Sequence, residues 1–211
     1  STRMSIFLIA FMLSVSYSFA QVSDLYVFSQ VAGTYTAVDI ASEDYNSLFA
    51  GETWDDNMTD ATPIGFNFIF DGVTYTEFRL CSNGWIQMGN LTDTYSTYTP
   101  ISSSYTNLIS CMGADLDATA TSELGYIVTG AAPNRVLTIQ WKDYLKWGTT
   151  ALFNTQIKLY EGTNVIEIVY GSMAYTSGSY TAQVGIKGAS ADDFNNRMTG
   201  EDNSWMTTVS G

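Results

Sequence analysis

The densest oxygen-ligand chemistry in this chain lies in three acidic stretches. In GADLDATATSE, residues 113–123, Asp115 and Asp117 alternate and Glu123 follows. Carboxylates at such spacing suit calcium, which takes only oxygen ligands. The order of Asp and Gly does not match an EF-hand loop, and a solvated acidic loop at a strand end is the plainer use of these residues. WDDN (54–57) and ADDFNN (191–196) pose the same choice between calcium ligands and Asx turns. The chain has no histidine. That removes the commonest general base, the Ser-His and Cys-His nucleophile systems and His-bound zinc or copper. Glycan hydrolysis by two carboxylates needs acids about 5 Å or about 6.5–9.5 Å apart across a cleft. No motif selects such a pair among the 21 acidic residues.

Aromatic residues offer the other binding chemistry, with 14 Tyr and 5 Trp. An exposed Tyr or Trp can stack on a sugar ring. Trp54, Tyr95, Tyr98, Tyr105, Tyr144 and Trp147 are the candidates in or beside loops, where they either bind or pack. Trp85 and Trp141 fall inside apolar runs and are expected in the core. Between Cys81 and Trp85 stands Ser82-Asn83-Gly84. Asn-Gly is a strong tight-turn signal because both residues tolerate φ > 0. A nucleophilic Ser82 would need a base and a Gly-x-Ser-x-Gly frame, and the chain has neither there. A turn is expected. Cys81 and Cys111 suit one disulfide in an exported protein, or two buried thiols packed as small apolar residues.

The elements that would position these residues are short and alternating. No 3.6-residue apolar stripe follows Gln21, and clusters of Gly, Asn, Asp and Ser punctuate runs rich in Thr, Tyr, Val, Ile and Phe. That is the pattern of an all-β, antiparallel, jelly-roll-like β-sandwich. Strands are expected at 25–30, 34–38, 64–70, 73–81, 85–89, 108–113, 124–129, 135–145 and 182–188. FNTQIKLYEGTNVIEIVYG (153–171) predicts a hairpin with Tyr160 paired to Val165. Leu159 then faces Ile166, Ile157 faces Ile168, and Lys158 opposes Glu167 on the outer face. Asp71-Gly72 predicts a second hairpin. On the strand that follows, Phe78 and Leu80 are expected to point inward. The polar stretches 39–60, 90–107 and 190–205 read as loops, which carry function more often than strands do.

Residues 1–20 read as a secretory signal peptide. An apolar run from Ile6 to Val15 ends in Ser18-Phe19-Ala20, too short for the ~20 residues of a membrane span. The mature chain is expected to start at Gln21 and to form one β-sandwich domain over 21–211. The full chain has 8 basic and 21 acidic residues, a net charge of −13; removing Arg3 with the leader makes it one unit more negative. Such a surface disfavours nucleic acid and anionic membranes.

Several segments taken in order resemble one family. They are GETWDDN, PIGFNFIFDGVTYTEFRLCSNGWIQMG, TYTPISS, AAPNRVLTIQWKDY, FNTQIKLYEGTNVIEIVYG, AQVGIKGAS and DFNNR. Together they resemble an N-terminal β-sandwich module of secreted Bacteroidota proteins, which often carry fibronectin type III modules and a type IX secretion sorting domain. The SNG corner is similar to one in nidogen-like extracellular domains. Where the first family usually has Ser or Ala this chain has Cys81 and Cys111, which favours their pairing. The resemblance implies an exported module of a larger protein and carries no defined activity. With its long loops and aromatic residues the chain reads as a secreted or cell-surface binding or adhesion module without catalysis, its expected partner a polysaccharide or an extracellular protein, and the acidic spacing makes calcium a candidate cofactor at Asp115, Asp117 and Glu123. The rival expectations are a structural spacer and a carboxylate-based glycan hydrolase.

Overall fold

The computed structural model describes residues 21–48, 54–92, 96–173 and 182–198. The predicted signal peptide and Tyr95 lie outside these residues. In chain order the elements are α1 (Val22–Leu25), β1 (Asn46–Ser47), β2 (Thr62–Phe70), β3 (Val73–Cys81), β4 (Trp85–Met88), β5 (Leu108–Gly113) and β6 (Leu116–Asp117). Then come β7 (Glu123–Thr129), β8 (Val136–Lys146), β9 (Leu152–Tyr160), β10 (Ile166–Tyr170), β11 (Gln183–Lys187) and β12 (Phe194–Met198).

Two antiparallel sheets pack face to face. Sheet A runs β1-β7-β8-β9-β10, with β6 paired to the far end of β8; sheet B runs β12-β11-β5-β4-β3-β2. Alternation fills the space between them. Thr62, Ile64, Phe66, Phe68 and Phe70 of β2 are buried while the residues between them are exposed. Phe78, Leu80, Ile109, Leu137, Ile139, Trp141, Ile157 and Leu159 complete the main core. Trp85 and Trp141 are 0% and 1% exposed, as their apolar runs predict.

The hairpin over 153–171 holds the expected register, and the second predicted hairpin forms at Asp71-Gly72. Leu159 pairs with Ile166, Lys158 with Glu167 and Ile157 with Ile168, and Phe70 pairs with Val73 across Asp71 (φ 49) and Gly72 (φ 72). Lys158 and Glu167 approach to 3.8 Å on the outer face.

Three expectations need correction. The predicted strands at 25–30 and 34–38 join neither sheet, and only the short α1 forms near them. The stretch 35–38 instead crosses the outer face of sheet A, held by side chains. Tyr35 Oη and Val38 N both donate to Gln140 Oε1 (3.0 and 2.8 Å). β8 and β9 are paired on both sides and β1 pairs β7 at Tyr126 and Gly125, so this stretch lies across the face of the sheet and does not extend it. Conversely, Phe194–Met198 lies within a predicted loop but pairs with β11 as an edge strand. A strand with one neighbour and an exposed flank needs little apolar sequence.

The third correction concerns the cysteines, which are free buried thiols. Cys81 is level with Trp85 and Ser110 across β3, β4 and β5, so Cys111, one residue on, faces the other way. The two fall in different apolar clusters, Cys111 between the sheets and Cys81 with Trp85 and Leu108 outside sheet B. The intervening β4 puts their strands about 9.5 Å apart, beyond the ~7 Å limit for a disulfide. Cys111 Sγ lies 3.1 Å from Thr155 Oγ1, and burial pushes its thiol up to about 12.

Candidate functional site

The Ser82-Asn83-Gly84 corner between β3 and β4 is the turn the sequence predicts, and it is also a buried polar hub. Ser82 and Asn83 are 0% exposed. Asn83 Nδ2 donates to Asp56 Oδ1 (2.8 Å) and Ser96 O (2.9 Å), and Asn83 Oδ1 accepts from Leu116 N (2.8 Å). Ser82 Oγ accepts from Asn57 N (3.0 Å). Trp141 Nε1, from sheet A, donates to Cys81 O and Ser82 O at 3.2 and 3.1 Å. Gly84 has φ 80, and a Cβ there would lie 2.3 Å from Met112 O. Only glycine fits both the dihedral and the space.

Through this hub two acidic loops distant in sequence meet at one end of the sandwich. Carboxylate oxygens of Asp55, Asp56 and Asp115 all lie within 4.8 Å of one another. That is the span of two ligands across one calcium ion with bonds of about 2.3–2.6 Å. Asp117 adds negative potential, since it raises the carboxyls of both Asp55 and Asp115. For each of these two the largest cause is burial of the charged form, and the neighbouring carboxylates add to it. Lys146 Nζ, 3.9 Å from Asp115 Oδ2, opposes the shift at Asp115. Asp55 and Asp56 are exposed, so an ion held here would keep coordination positions open to water or a ligand.

Trp147 stands beside this cluster. Its main-chain N donates to Asp115 O at 2.9 Å, and its side chain is 58% exposed. Trp54 precedes Asp55 in the chain but packs partly buried against the core.

The other predicted site residues separate. Glu123 opens β7 opposite Lys142 and is not in the three-acid group. Asp193 of the third acidic stretch is 5% exposed and accepts Val22 N at 2.7 Å, a structural use. Tyr98 is exposed at 47%. Tyr105 covers Trp85, ring centroids 6.1 Å apart, in the small cluster under the 96–106 loop. Tyr144 is a correction: it is 0% exposed and lies in the core. Between Trp141 and Tyr144 the β8 strand carries one residue more than β9, with Asp143 at φ 55. That bulge turns Tyr144 to the same inner face as Trp141, which strict alternation along β8 would not do.

In sequence WDDN reads as calcium ligands or a turn, with nothing that joins it to Asp115. The missed signal is Asn83, whose side chain connects the two loops. No pattern in the chain announces such a contact between residues 27 and 33 positions apart.

Among the described residues no helix is long and apolar enough to cross a membrane. Comparison with curated proteins and with solved structures found no match to this chain. The family model described as NIDO related matches residues 25–210, nearly the whole described fold, corner and acidic loops included. The chain therefore belongs to the nidogen-related family, whose domains are modules of extracellular type.

Proposed function

We propose that this domain is a calcium-dependent recognition module of a larger exported protein, and that its ligand is a polysaccharide. The observation that carries the reading is the meeting of Asp55, Asp56 and Asp115 within 4.8 Å beside an exposed Trp147. A cation at the carboxylates would offset their mutual repulsion and leave positions for sugar hydroxyls, while Trp147 gives a ring face for stacking. Binding of this kind forms and breaks no covalent bond. The finer resemblance to a Bacteroidota module, exported through a cleaved leader and followed by further modules, belongs to the same proposal.

Terbium, which occupies calcium sites and luminesces when a nearby tryptophan is excited, tests the ion. Excitation of the protein's tryptophans should give terbium emission that calcium displaces. Asp115→Asn should lose it, and emission that persists unchanged in that variant would contradict the site. The rival reading, a carboxylate-based glycan hydrolase, selects no pair among the acidic residues; release of reducing ends from a polysaccharide would favour it over binding alone.

A further inference from the structure

The outer face of sheet A carries a second feature, separate from the acidic loops. The strap of residues 35–42 stands over β7, β8 and β9 and leaves a groove of about 390 Å³ beneath its edge. Ile127, Thr138 and Gln156 form its floor, Val38 and Asp39 belong to the strap side, and Lys158 lies on β9. The volume falls within the range of small-molecule pockets, about 300–1,000 Å³.

Gln156 of this lining lies opposite Gln140 of β8, and this buried amide pair leaves two polar atoms without partners. Gln140 and Gln156 are both 0% exposed. Gln156 Nε2 donates to Thr36 O (2.8 Å) and Gln140 Oε1 (3.0 Å), and Gln140 Oε1 also receives Tyr35 Oη and Val38 N. Gln156 Oε1 and Gln140 Nε2 have no hydrogen-bond partner. Buried amide atoms are rarely left so, because an unmet donor or acceptor costs stability. Rotating one amide would move the deficit along the pair without removing it.

The geometry points to a binding groove for a neutral, hydroxyl-rich ring, a single pyranose unit, between the strap and the Ile127–Thr138–Gln156 floor. Three features select that class. Thr and Gln groups both donate and accept, as hydroxyls require. Asp39 and Lys158 carry opposite charges, so the groove favours no net ligand charge. Ile127 and Val38 give a small apolar contact for C–H groups. No aromatic ring lines the groove, so affinity should be weak.

The test is saturation-transfer NMR on the whole protein with glucose, galactose, mannose and N-acetylglucosamine at millimolar concentration, read beside the Gln156 side-chain amide resonances. At least one sugar should receive saturation and shift those resonances. Thr138→Val and Lys158→Ala, one near-isosteric and one at the surface, should each weaken binding about fivefold or more. Binding is counted only where it shifts the Gln156 amide, which separates this groove from the loop-end site. If none of the four sugars moves the Gln156 amide, or if binding keeps full strength in both groove variants, the inference is overturned.

Discussion

At the residue scale, the carboxylates and one glycine carry the sharpest consequences. Folding holds the Asp55 and Asp115 carboxyls above their ordinary 3.8, by burial first and by neighbouring carboxylates second. The sign follows from linkage. Below the ordinary value both groups are protonated in folded and unfolded chains, and no penalty exists. As pH rises through the raised folded values, the penalty comes in and persists to neutral pH. Without calcium, thermal stability should therefore fall across that window, and Asp115→Asn should flatten the fall. Calcium should restore stability at neutral pH and lose its effect as protons compete on acidification. A melting temperature in EDTA that ignores both pH and Asp115→Asn would contradict the electrostatic account. Gly84 gives an independent check. Gly84→Ala forces a side chain into φ 80 and onto Met112 O, and should cost about 3 kcal/mol in urea unfolding.

At the scale of elements, the β9–β10 hairpin shows what sequence makes legible. Apolar face, charge pair and turn residues all specify one register there, and the structure has that register. The energetic weight lies on the inner face. Leu159→Ala should destabilise by about 3 kcal/mol by leaving a cavity in the main core, whereas Lys158→Ala should cost under about 0.5 kcal/mol because its 3.8 Å pair with Glu167 is partly solvated. Equilibrium unfolding of the two variants compares them directly. The elements that were misread lack this agreement of signals. The segment 34–38 has strand-forming residues, but Gln140 and Gln156 take its polar groups before any strand can. The bulge at Asp143 shifts phase by one residue, so of the two uses open to Tyr144, binding or packing, the structure has packing in the core. Of the candidate site, Asp115 is a member of the acidic set read from sequence, Asp117 lies beside the group and Glu123 falls outside it. The partnership of Asp55 and Asp56 with Asp115 is not legible there, because it depends on where two sheets bring loops together.

At the scale of the whole molecule, two sheets pack through Phe, Ile and Leu rows, and buried polar groups fix the loops to them. Loop 96–106 is fastened in this way by Gln183 and Lys187, whose side chains reach Ile101, Ser102 and Ser103. The thiols report on that packing. Cys81 and Cys111 are fully buried and unpaired, so a thiol reagent should find neither in the folded protein and both after unfolding without reductant; no free thiol in the unfolded chain would mean that they pair. The central claim is that the end carrying Asp55, Asp56, Asp115 and Trp147 recognises polysaccharide with calcium. A glycan array probed with the folded protein, with calcium and then with EDTA, tests it most directly. The account predicts selective binding that EDTA removes and that Trp147→Ala abolishes. Binding that survives both changes, or a blank array from folded, calcium-loaded protein, would contradict it.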